Sequence, residues 1–412
     1  MTPKQGIDGK TWTVLTLLAI GVVISYIDRT NFSVVLAMKD FQREFHITDE
    51  DRGLLNSAFF WSYTLLQIPA GWVVDRFGVG IPYALGFLLW SGVSAGTAFL
   101  GSTAQLTIAR VMLGVGESIA GPASIKWIHG HFPEEHRGLA TGLYFSGTKI
   151  GLAVGAPITV WLSMLWGWRG MFLILGLGAL VWLGPWLWLV KDRGTPTASA
   201  GRAEPPVSML SLLRSPAMWG ILIGSFCYQY FVYFCMTWMP AYYVERRHLS
   251  LNGMGLFQMF SFAGMAVIAV LGGWLADRQI ARGGDAVRVR KIYIVLGFLI
   301  ASSEIVGARA SSDQVAIFFS VLSLAGLGLT TANYWVLTQA LVPAPAIGRA
   351  IGVQNLASNA AGAVAPLLTG WLKASTGSYQ APLNVVWLFL ILGAAAYVFL
   401  VRRSLSPLGV AG

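Results

Sequence analysis

The sequence predicts an all-α membrane protein with 12 transmembrane helices in two pseudo-symmetric six-helix halves. Hydrophobic residues make up 55% of the 412 residues and charged residues only 11%, against roughly 25% charged in soluble domains. The apolar runs are about 20 residues long and do not alternate, which favours helices over a β-barrel. The motif GWVVDR at 71–76 returns as GWLADR at 273–278, and a repeat at half the chain length indicates a duplicated membrane unit.

Each half contains six apolar stretches long enough to cross a bilayer. In the first half they are Trp12–Val35, Leu54–Val74, Ile81–Leu100, Gln105–Ile128, Leu139–Leu162 and Met171–Val190. In the second half they are Ala217–Val244, Gly253–Ala276, Ile292–Ala308, Gln314–Val342, Ile347–Leu372 and Pro382–Val401. The first stretch is too long for a signal-peptide core, so we expect it to be retained as a helix.

The halves are expected at residues 1–190 and 217–412, joined by a cytoplasmic linker at 191–216 that is rich in Pro, Ser, Ala and Arg. Most of the 28 lysines and arginines fall in segments that are cytoplasmic if the N-terminus is cytoplasmic. The net charge of +10 is therefore interpreted as a topology signal, not as a sign of nucleic-acid binding. We expect a monomer in the bilayer of the inner membrane, with both termini in the cytoplasm.

Five ionisable residues lie inside the predicted spans away from the span ends, where a charge costs at least ~2.5–3.5 kcal/mol on insertion scales. They are Asp28, Arg29, Arg110, Glu117 and Lys149. Three cations against two carboxylates favour an anionic ligand, because arginine offers a bidentate fork to a carboxylate and lysine a point charge. A buried carboxylate can change its protonation as an anion arrives. Asp28 and Glu117 are therefore candidates for proton coupling, and the sequence does not divide the role between them.

Alternatives remain for several of these charges. Arg110 and Glu117 share one helix face, about 10 Å apart along the axis, but the shallower Arg110 could instead extend to the membrane surface. Glu117 and Lys149 come at similar depth and could form a purely structural ion pair. Glu304 lies near a span end and is expected at the interface.

The second half offers mainly neutral polar groups, among which Asn355 and Asn359 share a helix face. Such groups could bind a polyhydroxylated or amide-bearing ligand, or form hydrogen bonds between helices. The candidates are Gln229, Tyr233, Asn333, Tyr334, Gln354, Asn355 and Asn359. No nucleophile–base pair, metal-ligand spacing or phosphate loop appears in the sequence. We therefore expect no enzyme activity, no metal and no cofactor.

The repeated motif resembles the signature of the major facilitator superfamily, with its gating role. The matching residues are Gly71, Asp75, Arg76 and Gly78 in the first copy and Gly273, Asp277 and Arg278 in the second. The basic residues usual after the first copy are replaced by Val79, Gly80 and Ile81. This resemblance implies the major facilitator fold.

A narrower resemblance covers nearly the whole chain. The segments SYIDRTNFSV, SAFFWSYTLLQIPAGWVVDRFG and ARVMLGVGE are similar to those of the anion:cation symporter family, which includes bacterial D-galactonate, glucarate and hexuronate transporters. The resemblance implies proton-linked transport of an organic anion by alternating access. It assigns proton coupling to Asp28 and Glu117 and substrate binding to Arg110. Further matches to cavity-lining positions are Tyr63, Gln67, Asn355 and Asn359.

The leading hypothesis is therefore a proton-coupled importer of an organic anion, with a sugar acid as first choice and a dicarboxylate or aromatic acid as alternatives. The main competing function is exchange of organic anions or sugar phosphates, although two intramembrane carboxylates favour symport. A channel gives no reason for the repeat, and a sensor would need a signalling domain.

Overall fold

The computed structural model of the protein describes residues 8–190, 212–342 and 347–401, which contain helices and no strand. The helices before residue 191 are α1 Gly9–Val35, α2 Lys39–Glu44, α3 Asp49–Leu65, α4 Gln67–Phe77, α5 Gly80–Gly96, α6 Thr103–Glu117, α7 Ala120–His131, α8 Glu134–Ala179 and α9 Leu183–Leu189. Those after residue 211 are α10 Pro216–Thr237, α11 Met239–Glu245, α12 Leu251–Ala281, α13 Ala286–Ala301, α14 Glu304–Arg309, α15 Asp313–Gly326, α16 Gly328–Leu341, α17 Ile347–Thr376 and α18 Gln380–Phe399.

Every one of the twelve predicted spans falls on helical structure, although several spans are interrupted. Spans two, four, seven, nine and ten are each built from two consecutive helices. Spans five and six share α8, which turns at Gly167, a residue with φ 68° and ψ 173°. Within the described residues, seven helices are long and apolar enough to cross a membrane by length and composition, and one of them, Leu139–Leu189, holds both of these spans. The all-α prediction is confirmed.

The described chain forms two compact units. The first contains the described residues up to 190 apart from 48–53, and the second contains residues 48–53 and the described residues after 211. No sequence signal indicated that residues 48–53 group with the second unit. Residues 191–211 of the predicted linker lie outside the described residues.

In the first unit, α8 packs closely against α1 through a row of glycines. A methyl group at Gly151 would lie 2.7 Å from the Tyr26 Cβ and 2.7 Å from the Val23 carbonyl oxygen, and Gly147 and Gly155 are similarly crowded. Glycines four residues apart share a helix face and let two backbones approach closely. This contact fixes α1, the helix that carries Asp28 and Arg29, against α8.

We predict that Gly151→Ala destabilises the protein by about 1–3 kcal/mol, the usual cost of overpacking. Gly142→Ala is the matched control, since a methyl group there meets nothing within 4 Å and alanine is the better helix former. Thermal unfolding in detergent micelles should give a lower midpoint for Gly151→Ala and an equal or higher one for Gly142→Ala. Equal midpoints for the two variants would contradict the close helix contact.

The second unit contains a carboxylate–cation cluster of Asp49, Arg52, Glu245, Lys373 and Tyr379. Glu245 accepts hydrogen bonds from Arg52 at 2.7 Å, Lys373 at 2.8 Å and Tyr379 at 2.7 Å. Lys373 also donates to Asp49 at 2.6 Å. Although burial raises the pKa of Glu245, the two cations outweigh burial and lower that pKa to about 2. The cluster ties residues 49–52 to α11 and α17.

We predict that Glu245→Gln lowers stability at pH 6 by about 1–3 kcal/mol, because hydrogen bonds to a charged group are lost. The stabilisation by wild-type Glu245 is complete above its ordinary pKa of 4.5 and is lost as pH falls towards about 2. Between these limits the wild type should therefore lose more stability than Glu245→Gln. Thermal midpoints against pH measure this, and Glu50→Gln, at an exposed position, should behave as the wild type. A parallel pH dependence in wild type and Glu245→Gln would refute the assignment.

Candidate functional site

Glu117, the last residue of α6, forms a buried ion pair with α1 of the first unit. Its Oε2 accepts hydrogen bonds from Ser25 Oγ at 2.6 Å and from Arg29 Nε at 2.8 Å. The two charged side chains are 0% and 4% exposed. Among the described residues Glu117 Oε1 has no hydrogen-bond partner, so this carboxylate keeps one buried oxygen available.

Aromatic rings surround the Arg29 guanidinium. Its central carbon lies 4.6 Å from the ring centroid of Tyr26, 4.8 Å from that of Phe59 and 4.5 Å from that of Tyr63. Cation–π contacts of this kind attract a desolvated guanidinium to the ring face. The predicted cavity residue Tyr63 thus lies directly against Arg29. Gln67 lies one helical turn beyond Tyr63, and its buried Nε2 has no partner in the described chain.

Asp28 lies at a second buried polar centre in the first unit. Its Oδ1 accepts hydrogen bonds from Ser94 at 2.8 Å and from Asn31 at 3.1 Å. Oδ2 is buried and has no hydrogen-bond partner among the described residues. A small pocket is lined by Asp28, Asn31, Ser94 and Arg110, among others. The pocket therefore brings together a carboxylate and a guanidinium from different helices.

Arg110 is 4% exposed and lines this pocket. Its Nε donates to the Leu55 carbonyl at 3.3 Å, and its guanidinium lies over Phe32 and Phe59 at 4.6 and 5.1 Å. Phe59 consequently contacts the guanidiniums of both Arg29 and Arg110. The alternative that Arg110 extends to the membrane surface is wrong, because its side chain is enclosed by α1 and α3.

One further sequence alternative needs correction, and the surroundings of Glu304 were not predicted. Within the described chain Glu117 pairs with Arg29 and not with Lys149, so the structural ion pair between Glu117 and Lys149 is not formed. Lys149 is half-buried on α8. Glu304 is 1% exposed, and its carboxyl oxygens lie 2.8 and 2.7 Å from the hydroxyl oxygens of Ser320 and Ser323 on α15. Helix α13 ends at Ala301, and α14 begins at Glu304.

In the second unit, α17 and α10 bring four predicted polar residues together as two hydrogen-bonded sets. Tyr233 donates to Asn359 Oδ1 at 3.4 Å, and Asn359 Nδ2 donates to the Asn355 carbonyl at 3.0 Å. Gln354 donates to Ser225 at 2.9 Å and keeps a buried Oε1 with no partner in the described chain. These amide groups connect α10 and α17, and Gln354 Oε1 can still accept a hydrogen bond from a ligand. Gln229, also on α10, is half-buried.

The remaining second-unit candidates lie in different surroundings. Asn333 accepts from Arg290 at 3.1 Å and donates to the Leu329 carbonyl at 2.8 Å, so both ends of its amide are engaged. Tyr334 stacks on Tyr228, with ring centroids 4.7 Å apart. Asn333 is thus joined through Arg290 to Asp277 of the repeated motif and not to the two amide sets.

Each copy of the repeated motif places its aspartate against a cation. Asp75 pairs with Lys126 at 2.9 Å, and Asp277 pairs with Arg290 at 2.6 Å. The two cations come from different positions, α7 in one unit and α13 in the other. Gly78 has a φ of 85°, a conformation that glycine adopts readily. Both copies therefore pair their aspartate with a cation, although the two cations are not equivalent.

Sequence reasoning missed the neutral residues that complete the site. Ser25 lies one turn before Arg29 on α1, so helical periodicity could have placed it on the charged face. Ser94 and Phe59 belong to other helices, and nothing in the sequence links them to Asp28 or Arg29. Only tertiary packing brings them together.

The fold and the buried charges define a multi-pass helical membrane transporter. Residues 18–366 match the Major Facilitator Superfamily. The chain is 30% identical over 416 residues, covering 95% of this chain and 96% of the relative, to the "D-galactonate transporter" of Escherichia coli O6:H1 (strain CFT073). It is 27% identical over 433 residues, covering 97% and 96%, to the "Probable galactarate/D-glucarate transporter GarP" of Escherichia coli (strain K12).

A solved structure shares the same fold. The bacterial homolog of the human lysosomal transporter Spinster aligns with a TM-score of 0.82 at 18% identity, covering 96% of this chain and 98% of that one. The chain belongs to the Major Facilitator Superfamily, whose members are transporters and not enzymes. The predicted resemblance to sugar-acid transporters is confirmed by the two relatives.

The Arg29–Glu117 pair predicts a strong coupling in a double-mutant cycle. Arg29→Met should lower stability by about 3–5 kcal/mol, because it leaves Glu117 buried without a counter-charge. Adding Glu117→Gln should restore most of that loss. The measurement is thermal unfolding in detergent, with Arg76→Met as a control at an exposed arginine. A double variant no more stable than Arg29→Met would contradict the pairing.

Proposed function

We propose that the protein imports an organic anion, a sugar acid, together with protons by alternating access across the inner membrane. The observation that carries this proposal is that one unit buries two carboxylates close to two guanidiniums: Glu117 is ion-paired with Arg29, and Asp28 shares a pocket with Arg110. Each carboxylate, Asp28 and Glu117, retains an oxygen with no partner among the described residues. Transport of a sugar acid is further supported by the names of the relatives.

Arg110 is the proposed anion-binding cation. It lines the pocket beside Asp28 and uses Nε for the Leu55 carbonyl, which leaves its two terminal nitrogens for a carboxylate. A planar guanidinium binds a carboxylate through two parallel hydrogen bonds, which a lysine cannot reproduce. Lys149 is proposed to add positive charge without holding the ligand in a fixed geometry.

Asp28 and Glu117 are the proposed proton carriers. A substrate anion that binds near Arg110 competes with Asp28 for the same positive charge, so Asp28 can take up a proton as the anion arrives. Glu117 is held by Arg29 and Ser25 and can be released when Arg29 is drawn to another anion. Proton uptake would thereby follow substrate binding, which is the requirement for symport.

The second unit is proposed to bind the neutral part of the substrate. Tyr233, Gln354, Asn355 and Asn359 supply amide and phenol groups suited to sugar hydroxyls, which both donate and accept hydrogen bonds. Asn333 is proposed instead to support the motif around Asp277, because Arg290 binds both residues. We further propose halves at 1–190 and 217–412, a monomer, and cytoplasmic termini.

We predict that Asp28→Asn and Glu117→Gln each abolish accumulation driven by a pH gradient in proteoliposomes. Thermal-shift screening against sugar acids, dicarboxylates and aromatic acids first selects the substrate, since a ligand stabilises by its occupancy. At least one variant should retain substrate exchange without a gradient, because exchange need not pass through the empty carrier.

Glu50→Gln, at an exposed position outside the site, should accumulate substrate as the wild type does. Normal accumulation by both Asp28→Asn and Glu117→Gln under an imposed pH gradient would refute proton coupling by these residues. Anion exchange would then be the better assignment.

A further inference from the structure

Glu304 is a buried carboxyl group of the second unit that the proposed transport mechanism does not use. It begins α14 directly after the break at Ser302 and Ser303, and it is 1% exposed. Its Oε1 lies 2.8 Å from Ser320 Oγ and its Oε2 lies 2.7 Å from Ser323 Oγ. A carboxyl group this deep must be neutralised by a cation or by a proton.

The internal repeat relates the position of Glu304 to a position in the Asp28 pocket of the first unit. Every residue from 104 to 130 is buried, half-buried or exposed in the same way as the residue 210 positions later. At this offset Arg110 corresponds to Ser320, and Ser94 corresponds to Glu304. The positions of Ser94 and Arg110, which line the Asp28 pocket of the first unit, are therefore occupied in the second unit by Glu304 and Ser320.

No lysine, arginine or histidine of the described chain lies within 4.0 Å of the Glu304 carboxyl oxygens. The nearest cation along this face, Arg247, donates to the Gly307 and Ala310 carbonyls at 3.0 and 2.9 Å and pairs with Asp313 at 3.4 Å. An ionised Glu304 would therefore lack the compensation that Arg29 gives to Glu117.

The other elements packed around Glu304 add no second charge. Tyr243 on α11 donates its hydroxyl to the Ala316 carbonyl at 3.3 Å, and the buried Cys235 thiol approaches from α10. Tyr242 is held by Arg247 at 2.9 Å. Helix α18 contains no aspartate, glutamate, lysine, arginine or histidine. Apart from the Arg247 guanidinium, these surroundings offer only neutral groups.

The hydrogen-bond geometry fits a protonated carboxyl group. Ser323 Oγ lies 2.7 Å from Glu304 Oε2 and also 2.9 Å from the Ser320 carbonyl oxygen. A serine hydroxyl has one proton, so it cannot donate to both oxygens at once. With a proton on Oε2, Glu304 donates to Ser323, Ser323 donates to the Ser320 carbonyl, and Ser320 Oγ donates to Oε1. Every contact is then satisfied.

We propose that Glu304 is a proton-binding site of the second unit, occupied at neutral pH and separate from Asp28 and Glu117. Its ligand is a proton held in a closed hydrogen-bond circuit with Ser320 and Ser323. Loss of that proton leaves an uncompensated charge inside the second unit and destabilises it. The site thereby sets an alkaline limit for the folded protein, whatever the transported substrate.

The test is infrared difference spectroscopy of the reconstituted protein, wild type minus Glu304→Gln. At about pH 7 the difference should contain the carbonyl stretch of one protonated carboxyl group, which disappears on alkaline titration. The matched control is wild type minus Glu245→Gln, which should contain only ionised carboxylate because Glu245 is bound by two cations. An ionised carboxylate in the Glu304 difference at about pH 7 would overturn the proposal.

Two further measurements keep the proposal testable if Glu304→Gln folds poorly. Ser323→Ala removes the proposed acceptor and should shift the protonated band without removing it. The wild-type thermal midpoint should fall as pH rises above about 4.3, the ordinary pKa of a glutamate, because the folded state then holds a proton that the unfolded chain has lost. It should fall less in Glu304→Gln. Stabilisation by sodium that Glu304→Gln abolishes would overturn the proton assignment in favour of a monovalent cation. None of these measurements requires transport, so their results do not depend on the outcome of the proton-driven accumulation experiment.

Discussion

Burial of ionisable groups away from water is the constraint on which the rest of this structure depends. A carboxylate inside a helical unit has to be neutralised by a cation, by donors or by a proton. The protein uses more than one solution: Glu117 is paired with Arg29, whereas Glu304 has only serine hydroxyls around it. Asp28 has two neutral donors and shares a pocket with Arg110. These differences determine which contacts must change before each carboxyl group can gain or lose a proton.

Helix packing makes such sites possible, because it brings distant residues to fixed distances. The glycines of α8 allow α1 to approach closely, and α1 carries Asp28 and Arg29 towards α5 and α6. Phe59 then lies against both guanidiniums, so the cations of the two polar centres share one ring. The proposed anion site and the proposed proton carriers are therefore parts of one packed arrangement.

Hydropathy and the internal repeat were sufficient to predict the helical spans and the charged residues of the first unit. They could not predict the neutral partners, because Ser94 and Phe59 carry no signal of their own. The partners of Glu304 were missed because Ser320 and Ser323 lie on another helix, which only tertiary packing brings against it. The ion pair of Glu117 was ambiguous because depth alone cannot distinguish Arg29 from Lys149.

The turn at Gly167 has a practical consequence for this protein. Two membrane-spanning segments are joined there with no connecting loop, through one residue whose positive φ is costly for any other side chain. A hairpin this tight has no loop into which an epitope tag, a protease site or a fluorescent reporter could be inserted. It also presents little surface to an antibody fragment, so fiducial binders for electron microscopy should be raised against other parts of the chain.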